Sequence, residues 1–214
     1  MPAWVIRWVL KPAVFAVCLL PALRLAAGAL GVAGVSLGAD PVAELLHRCG
    51  HWALNFLMIT LCMTPLRDLT RTSLPLRLRR MFGLYAFFYV LLHFSVYLLL
   101  DQNGKLGALG QDILKRPYIT IGMLGLLLLI PLALTSTAAA MRRLGRRWTR
   151  LHRLVYVIAI LGVWHYWWQV KRDVREPLLY AAGLAVLLGY RLWKSRRTLA
   201  RRFSAARIAA PDGA

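Results

Sequence analysis

Long uncharged stretches alternate with short arginine-rich loops along this chain of 214 residues. A helix that crosses a membrane needs roughly 20 consecutive, mostly apolar residues. Residues 81–100 and 117–139 meet this requirement without a single Asp, Glu, Lys or Arg. With their flanks counted and an occasional charge tolerated, four further stretches follow the same pattern: 12–30, 49–66, 152–170 and 177–193. The pattern predicts a six-transmembrane-helix bundle with short loops and a basic tail over 194–214.

Composition favours an all-α integral membrane protein with a single domain over residues 1–214. Hydrophobic residues make up 59% of the chain and charged residues 17%, whereas an ordinary soluble domain has roughly 45–50% and about 25%. A soluble chain this short has too little interior to bury so much apolar surface. Disorder is excluded because disordered chains are poor in apolar residues. The three cysteines show no CxxC spacing and are too few for a disulfide scaffold.

The first apolar stretch has a second interpretation as a cleaved signal peptide. Arg7 and Lys11 precede it, and Leu25-Ala26-Ala27-Gly28 resembles a weak cleavage site. The stretch continues past that site, which favours a retained helix. Arg24 is the one charge inside it, and a long arginine side chain can extend to the membrane interface.

The distribution of charge predicts the orientation of the bundle. The chain carries 28 Lys and Arg against 8 acids, a net charge of +20. Cytoplasmic loops of membrane proteins are enriched in Lys and Arg. The two termini and the second and fourth loops hold 20 of these cations, while the opposite side holds 8 cations and six of the acids. Both termini are therefore predicted to be cytoplasmic, with most arginines anchoring this topology and contacting lipid headgroups.

Two histidines are predicted to lie at a similar depth. His93 lies about 18 Å along the third helix from its cytoplasmic start, and His165 lies about 21 Å along the fifth. Ionisable residues inside a span are costly and usually functional. A haem iron held between the two imidazoles would have both axial positions filled, which favours electron transfer. A hydrogen-bonded packing role is the alternative, and zinc is less favoured because no acid or cysteine is expected at that depth.

The remaining histidines are expected at other depths. His152 lies 13 residues before His165, about 20 Å nearer the cytoplasm and on a different helix face, so one haem cannot use both. We expect it to serve a second cofactor, to bind a headgroup or quinone, or simply to lie at the interface. His47 and His51 share one face at the outer start of the second helix. Without a third ligand nearby in sequence, they are interpreted as interfacial.

A series of short motifs between residues 38 and 190 resembles the ferric reductase-like transmembrane domain family. The closest resemblance is to its haem-binding subunits of bacterial methionine sulfoxide reductase systems. Each motif is weak alone, but their order and spacing are specific. They are Gly38-Ala39-Asp40-Pro41, Thr64-Pro65-Leu66, Arg79-Arg80-Met81-Phe82-Gly83, Leu92-His93, Arg116-Pro117-Tyr118-Ile119-Thr120, Thr135-Ser136-Thr137, Leu144-Gly145-Arg146-Arg147-Trp148, Leu151-His152 and His165-Tyr166.

The resemblance implies an electron relay in the bacterial inner membrane, acting as a subunit without a substrate-reducing site of its own. Haem b, in one or two copies, would take electrons from quinol or from a cytosolic flavin reductase. The acceptor would be a periplasmic molybdopterin enzyme that reduces methionine sulfoxide in oxidised proteins. The family's important histidines correspond to His93 and His165 as axial ligands of the haem iron, and to His152 as a second haem, quinone or flavin site. FMN is a further cofactor that the resemblance implies.

One departure concerns a second haem. Two-haem relatives carry another histidine on the third helix, where this chain has Arg79 and Arg80, so His152 lacks an obvious partner ligand. Nor does any stretch resemble an NAD(P)H- or FAD-binding domain, so electrons would come from another protein or from quinol.

Two alternatives remain open: a membrane ferric reductase or cytochrome b561-like protein with another acceptor, and a cofactor-free transporter. The transporter would need broken helices at the midplane, where Pro131 is the one candidate.

If the protein is an electron relay, two segments are expected to face outward and contact the partner. They are the loop 101–116, with Asp101 and Asp112, and the segment around Asp40. Arg24 is an additional candidate to pair with a haem propionate.

Overall fold

The computed structural model describes residues 2–32, 34–170 and 173–209. Over this part of the chain all regular secondary structure is helical, which confirms the predicted all-α class. The principal helices are α1 (Ile6–Ala29), α2 (Pro41–Thr70), α3 (Leu74–Asp101), α4 (Leu106–Lys115), α5 (Pro117–Leu134), α6 (Ala138–Leu144), α7 (Arg146–Leu151), α8 (Leu154–Gln169) and α9 (Arg175–Ala209).

Four of these helices, α1, α2, α3 and α5, are long and apolar enough to cross a membrane. The last two predicted spans coincide with α8, which has 16 residues, and with the first part of α9, which has 35. Helix α9 continues through residues 194–209 of the predicted tail, a segment without Gly or Pro to interrupt it. Residues 210–214 of that tail, and the loop cations Lys171 and Arg172, lie outside the described residues.

Helix α2 begins eight residues before its predicted start at residue 49. Its first turn is capped by the Asp40 carboxylate, which accepts a hydrogen bond from the Ala43 amide at 3.0 Å, and Pro41 occupies the first helical position. Both features favour a helix N-terminus. The helix ends where Arg71 adopts a left-handed conformation with φ 55°. Hydropathy alone misses the start of this helix because its first two turns contain Glu44, His47 and Arg48.

The fourth predicted span, 117–139, is too long. Helix α5 ends at Leu134, and the Thr135 hydroxyl donates back to the Pro131 carbonyl at 2.6 Å. Two residues further on, the Thr137 hydroxyl accepts from the Ala140 amide at 3.1 Å and starts α6. Threonine hydroxyls compete with the main chain for such hydrogen bonds, so an uncharged stretch is divided into two helices.

The buried core lies mainly among α2, α3, α5, α8 and α9. Leu61 on α2, Tyr89 on α3 and Ala159 on α8 are fully buried. Large apolar side chains also cover the outside of the bundle, including Leu179 and Val186 on α9, which are 72% and 71% exposed. Helices that are apolar on their inner and outer faces are typical of a membrane bundle.

Tyrosine hydroxyls attach α1 to α3. The Tyr89 hydroxyl donates to the Cys18 carbonyl at 2.8 Å and accepts from the Ala22 amide at 3.0 Å. It therefore lies between a carbonyl and an amide that would bond each other in a regular helix. One helical turn away, the Tyr85 hydroxyl donates to the Phe15 carbonyl at 2.7 Å.

We expect Tyr89→Phe to lower the free energy of unfolding by about 1–3 kcal/mol, because it leaves buried main-chain groups without a partner. Tyr85→Phe removes one hydrogen bond instead of two and should cost less. Thermal unfolding of the two detergent-solubilised variants, followed by circular dichroism, measures the difference. An unchanged transition in Tyr89→Phe would show that α1 does not depend on this hydroxyl.

Candidate cofactor site

The structure brings His93 of α3 and His165 of α8 together in the interior of the bundle. Their ring centroids are 6.0 Å apart and their planes make an angle of 86°. A metal ion bound by two imidazole nitrogens from opposite sides, at about 2.0–2.1 Å from each, would separate the ring centres by about 6 Å. The spacing therefore suits one iron ion between the two rings.

Each imidazole is held by a hydrogen bond to the main chain of a neighbouring helix. The His93 Nδ1 donates to the Leu46 carbonyl of α2 at 2.9 Å, and the His165 Nδ1 donates to the Tyr118 carbonyl of α5 at 2.7 Å. Because a carbonyl can only accept, each Nδ1 carries the ring hydrogen. Both Nε2 atoms are consequently the unprotonated nitrogens, which is the tautomer that a metal ligand needs.

Two glycines lie against these rings. A Cβ atom built on Gly50 of α2 would lie 3.2 Å from the His93 Nδ1, and one built on Gly122 of α5 would lie 2.8 Å from the His165 Nδ1. Sequence reasoning did not single out either glycine. The glycines can be recognised in the sequence only once the two histidines are known to form a pair, because each glycine then precedes its histidine by the same number of residues.

A cavity of about 290 Å³ surrounds the histidine pair and is bounded by α2, α3, α5 and α8. Its inner part is lined by Leu54, Leu57, Leu126, Leu129 and Ile158. Its outer end, near the start of α2 and the end of α8, is lined by polar residues: His47, His51, Tyr97, Asp101, Arg116, Tyr166 and Gln169. The cavity is thus apolar at one end and polar at the other.

His47 and His51, interpreted as interfacial from the sequence, are exposed or half-buried and also line the polar end of the cavity. The His47 Nε2 lies 3.5 Å from the Gln169 amide nitrogen. The His51 Nε2 lies 3.6 Å from a carboxylate oxygen of Glu176, which also accepts from the Tyr166 hydroxyl at 2.7 Å. Sequence spacing showed that the two histidines share a face, but not which helices that face contacts.

The structure also corrects the expectation that Asp112 docks a partner. Its side chain is only 14% exposed, lies 3.2 Å from the Arg116 Nε and accepts from the Tyr97 hydroxyl at 2.7 Å. It therefore orients Arg116 at the cavity mouth, while Asp101 remains exposed. Tyr118 and Asp112 raise the pKa of the Arg116 guanidinium, which keeps it positively charged. Arg24 is exposed on α1 and does not line the cavity.

His152 lies apart from this cavity, in the turn between α7 and α8. Its ring stacks on Trp148 with centroids 4.0 Å apart, and its Nε2 lies 3.1 Å from the Thr135 hydroxyl oxygen. That hydroxyl donates its hydrogen to the Pro131 carbonyl, so the His152 Nε2 donates and its Nδ1 is left unprotonated. The structure brings no second histidine to it, because the other four line the cavity.

Arg191, inside the last predicted span, lies between α9, α2 and α8. One of its terminal nitrogens donates to the Tyr156 hydroxyl at 2.9 Å and the other to the Leu61 carbonyl at 2.6 Å. It therefore connects α9 to the central helices.

Within the described residues, no group of three or more His, Cys, Asp or Glu side chains could hold a metal ion. The structure places two imidazoles beside an amphipathic cavity, and a haem would need only two ligands of this kind from the protein because the porphyrin supplies the remaining iron ligands.

Comparison with known proteins identifies the class to which this fold and site belong. The family of ferric reductase-like transmembrane components matches residues 49–163, which include α3 and α5 in full and most of α2 and α8. The chain belongs to this family.

Its curated relatives carry the name "Protein-methionine-sulfoxide reductase heme-binding subunit MsrQ". The proteins from Xanthomonas euvesicatoria pv. vesicatoria and Xanthomonas axonopodis pv. citri are 59% and 58% identical to this chain over 170 residues. These alignments cover 78% of this chain and 78% of each relative. The protein from Azospira oryzae is 52% identical over 185 residues, 86% of this chain and 78% of its own length. No solved structure matches the chain.

We expect Gly125→Leu to abolish occupancy of the cavity by a planar cofactor such as haem. Gly125 lines the cavity, and a Cβ atom built there meets nothing within 4 Å, so the larger side chain would occupy the cavity without displacing protein atoms. Haem per protein after purification, from the pyridine haemochrome, measures the effect.

The matched control is Gly189→Leu, an exposed helical glycine of α9 that also has nothing within 4 Å. Both variants should keep wild-type helicity, since the two helices lose a glycine of low helix propensity. Full haem content in Gly125→Leu would exclude this cavity as the site.

Proposed function

We propose that this protein is a haem b electron-transfer subunit in which His93 Nε2 and His165 Nε2 are the axial ligands. The observation that carries the proposal is the pair of imidazoles 6.0 Å apart, each with its Nδ1 already bonded to a main-chain carbonyl. The relatives named as haem-binding subunits support it. When bound, the haem supplies a one-electron carrier whose axial positions are both occupied.

The polarity of the cavity supports one orientation for the haem. Leucine side chains at the inner end exclude water from the macrocycle, and burial of its apolar edge is favourable. Haem carries two propionate carboxylates at one edge. Arg116, His47 and Gln169 at the outer end of the cavity could donate hydrogen bonds to them. In this orientation the propionate edge faces the outer surface, where an electron acceptor can approach.

The proposed acceptor is a periplasmic molybdopterin methionine sulfoxide reductase, an MsrP-type partner that forms a heterodimer with this chain. The names of the relatives, which describe a subunit of a protein-methionine-sulfoxide reductase, support this partner. This chain then carries electrons only, and the partner reduces methionine sulfoxide in oxidised proteins. Asp101, exposed beside the cavity mouth, remains a candidate contact for the partner.

We place the electron donor at His152. Its stacked Trp148 provides an aromatic surface, and its unprotonated Nδ1 can accept a hydrogen from a quinol hydroxyl or a flavin ring nitrogen. A second haem is a weaker candidate there because the Nε2 is committed to Thr135 and no second histidine approaches. Quinol or the FMN of a cytosolic flavin reductase is therefore the proposed donor.

We further propose six membrane spans in the bacterial inner membrane, with both termini cytoplasmic. Helix α8 and the first part of α9 supply the last two spans beside α1, α2, α3 and α5. The unequal distribution of the 28 cations supports this orientation. This orientation places the His93–His165 pair toward the periplasm and His152 toward the cytoplasm. The proposed donor would then act from the cytoplasmic side and the proposed acceptor from the periplasmic side.

The first test uses three alanine variants. His93→Ala and His165→Ala should each lose most of the haem, because each removes one axial ligand. His152→Ala should keep the haem and its reduced-minus-oxidised visible spectrum but accept electrons more slowly from a quinol analogue or from a reduced flavin reductase. Haem-to-protein ratios and stopped-flow reduction measure the two effects separately.

Imidazole added to His93→Gly provides the control, since recovery of haem would show that the lost group was a ligand and not a packing side chain. A colourless wild-type protein from haem-replete cells would overturn the proposed function. Unimpaired reduction of His152→Ala by both donors would remove His152 from the donor side.

The second test concerns topology. Alkaline phosphatase, which is active only in the periplasm, should be inactive when fused after residue 214 and active when inserted after Asn103, in the turn between α3 and α4. Green fluorescent protein at the same two positions should show the reverse. Equal phosphatase activity at both positions would mean an even number of spans between Asn103 and the C-terminus. That result would contradict the three spans proposed here.

A further inference from the structure

The same three-part arrangement holds each of the paired histidines. On α2, the Leu46 carbonyl accepts from His93, and Gly50 follows Leu46 by four residues. On α5, the Tyr118 carbonyl accepts from His165, and Gly122 follows Tyr118 by four residues. In both cases the histidine lies 47 residues after the residue whose carbonyl it contacts.

Helix geometry explains why a glycine stands in that position. Each Cα–Cβ bond of a helix leans toward the N-terminus, so the side chain of a residue covers the turn before it. The carbonyl of one residue therefore lies beneath the Cβ of the residue four positions later. A carbonyl in a helix retains a second lone pair, and a glycine at the fourth position removes the Cβ atom that would crowd an imidazole approaching it.

These two glycines differ from others in the described part of the bundle in what they approach, since the close contacts at Gly28 and Gly183 are to aliphatic side chains and a methionine instead of an imidazole ring. A Cβ atom at Gly122 would lie 2.8 Å from the His165 ring, which no side chain could tolerate without displacement, and one at Gly50 would lie 3.2 Å from the His93 ring. At Gly83, on the same helix as His93, the nearest atom would be 3.7 Å away, an ordinary contact.

We propose that Gly50 and Gly122 are positioning residues that set the rotation of the two imidazoles and hold their planes at right angles. The inference rests on the proposed haem ligation. Nδ1 of each ring is fixed to a carbonyl, and the glycine surface fixes the face of the ring, so neither ring can rotate about the bond that its Nε2 makes with the iron. The observed angle of 86° is close to the maximum of 90°.

Perpendicular axial planes have a spectroscopic consequence. Two crossed imidazoles leave the two iron d orbitals that interact with the ring π systems nearly equal in energy. Low-spin ferric haem then gives a strongly anisotropic electron paramagnetic resonance signal with one large g value, whereas parallel planes give a rhombic signal. Because the angle is near its maximum, any rotation of either ring must reduce this anisotropy.

The experiment compares low-temperature spectra of the ferric wild type, Gly50→Ala, Gly122→Ala and the control Gly83→Ala, with the haem content of each sample measured in parallel. We expect the large-g signal in wild type and Gly83→Ala, a reduced largest g value in Gly50→Ala, and a greater reduction in Gly122→Ala. The midpoint potential should change in the same order, because the hydrogen bond to each Nδ1 tunes the basicity of its ligand.

Each outcome decides one question. Wild type that contains haem but gives a rhombic signal overturns the inference, as does an unchanged largest g value in haem-replete Gly50→Ala. If Gly122→Ala fails to retain haem, Gly50→Ala, where the contact is looser, decides alone. Wild type without haem contradicts the proposed function instead, so the two failures are distinguishable.

Discussion

Two hydrogen bonds, from the His93 and His165 Nδ1 atoms to main-chain carbonyls of adjacent helices, are the interaction on which the site depends. Inside a membrane no water can satisfy an imidazole, so each ring must find its partner within the protein. Each bond joins one helix of a pair to the other, α3 to α2 and α8 to α5. It also selects the tautomer with a free Nε2, so one contact contributes to packing and to chemistry.

The cavity between these helix pairs changes from apolar at its inner end to polar at its outer end. Leucine and isoleucine side chains line its inner part, and histidine, tyrosine, glutamine and arginine line its outer end. An amphipathic cofactor is oriented by such a gradient because burial of charged carboxylates without partners is costly. The ion pair between Asp112 and Arg116 extends the polar end into α4. A short helix outside the membrane-spanning set thus contributes to the environment of the site.

Much of this site could be predicted from the identity of individual residues and their positions along the helices. His93 and His165 were identifiable because an ionisable residue in an apolar span is unusual, and equal depth along parallel helices follows from helix rise. The role of Asp112 was not predictable in this way, since its partner Tyr97 lies on another helix. The end of α5 at Leu134 was missed for a local reason, because hydropathy does not register the hydroxyl bonds of Thr135 and Thr137.

The sequence by itself determined the all-α class, the positions of the apolar helices and the two histidines of the central pair, because hydropathy and helical periodicity act locally along the chain. Only the tertiary structure decided which carbonyls the imidazoles contact, that Gly50 and Gly122 uncover those carbonyls, and that His47 and His51 line the cavity while His152 does not. These properties depend on how helices distant in sequence approach and rotate about one another. No pattern within a single helix contains that information.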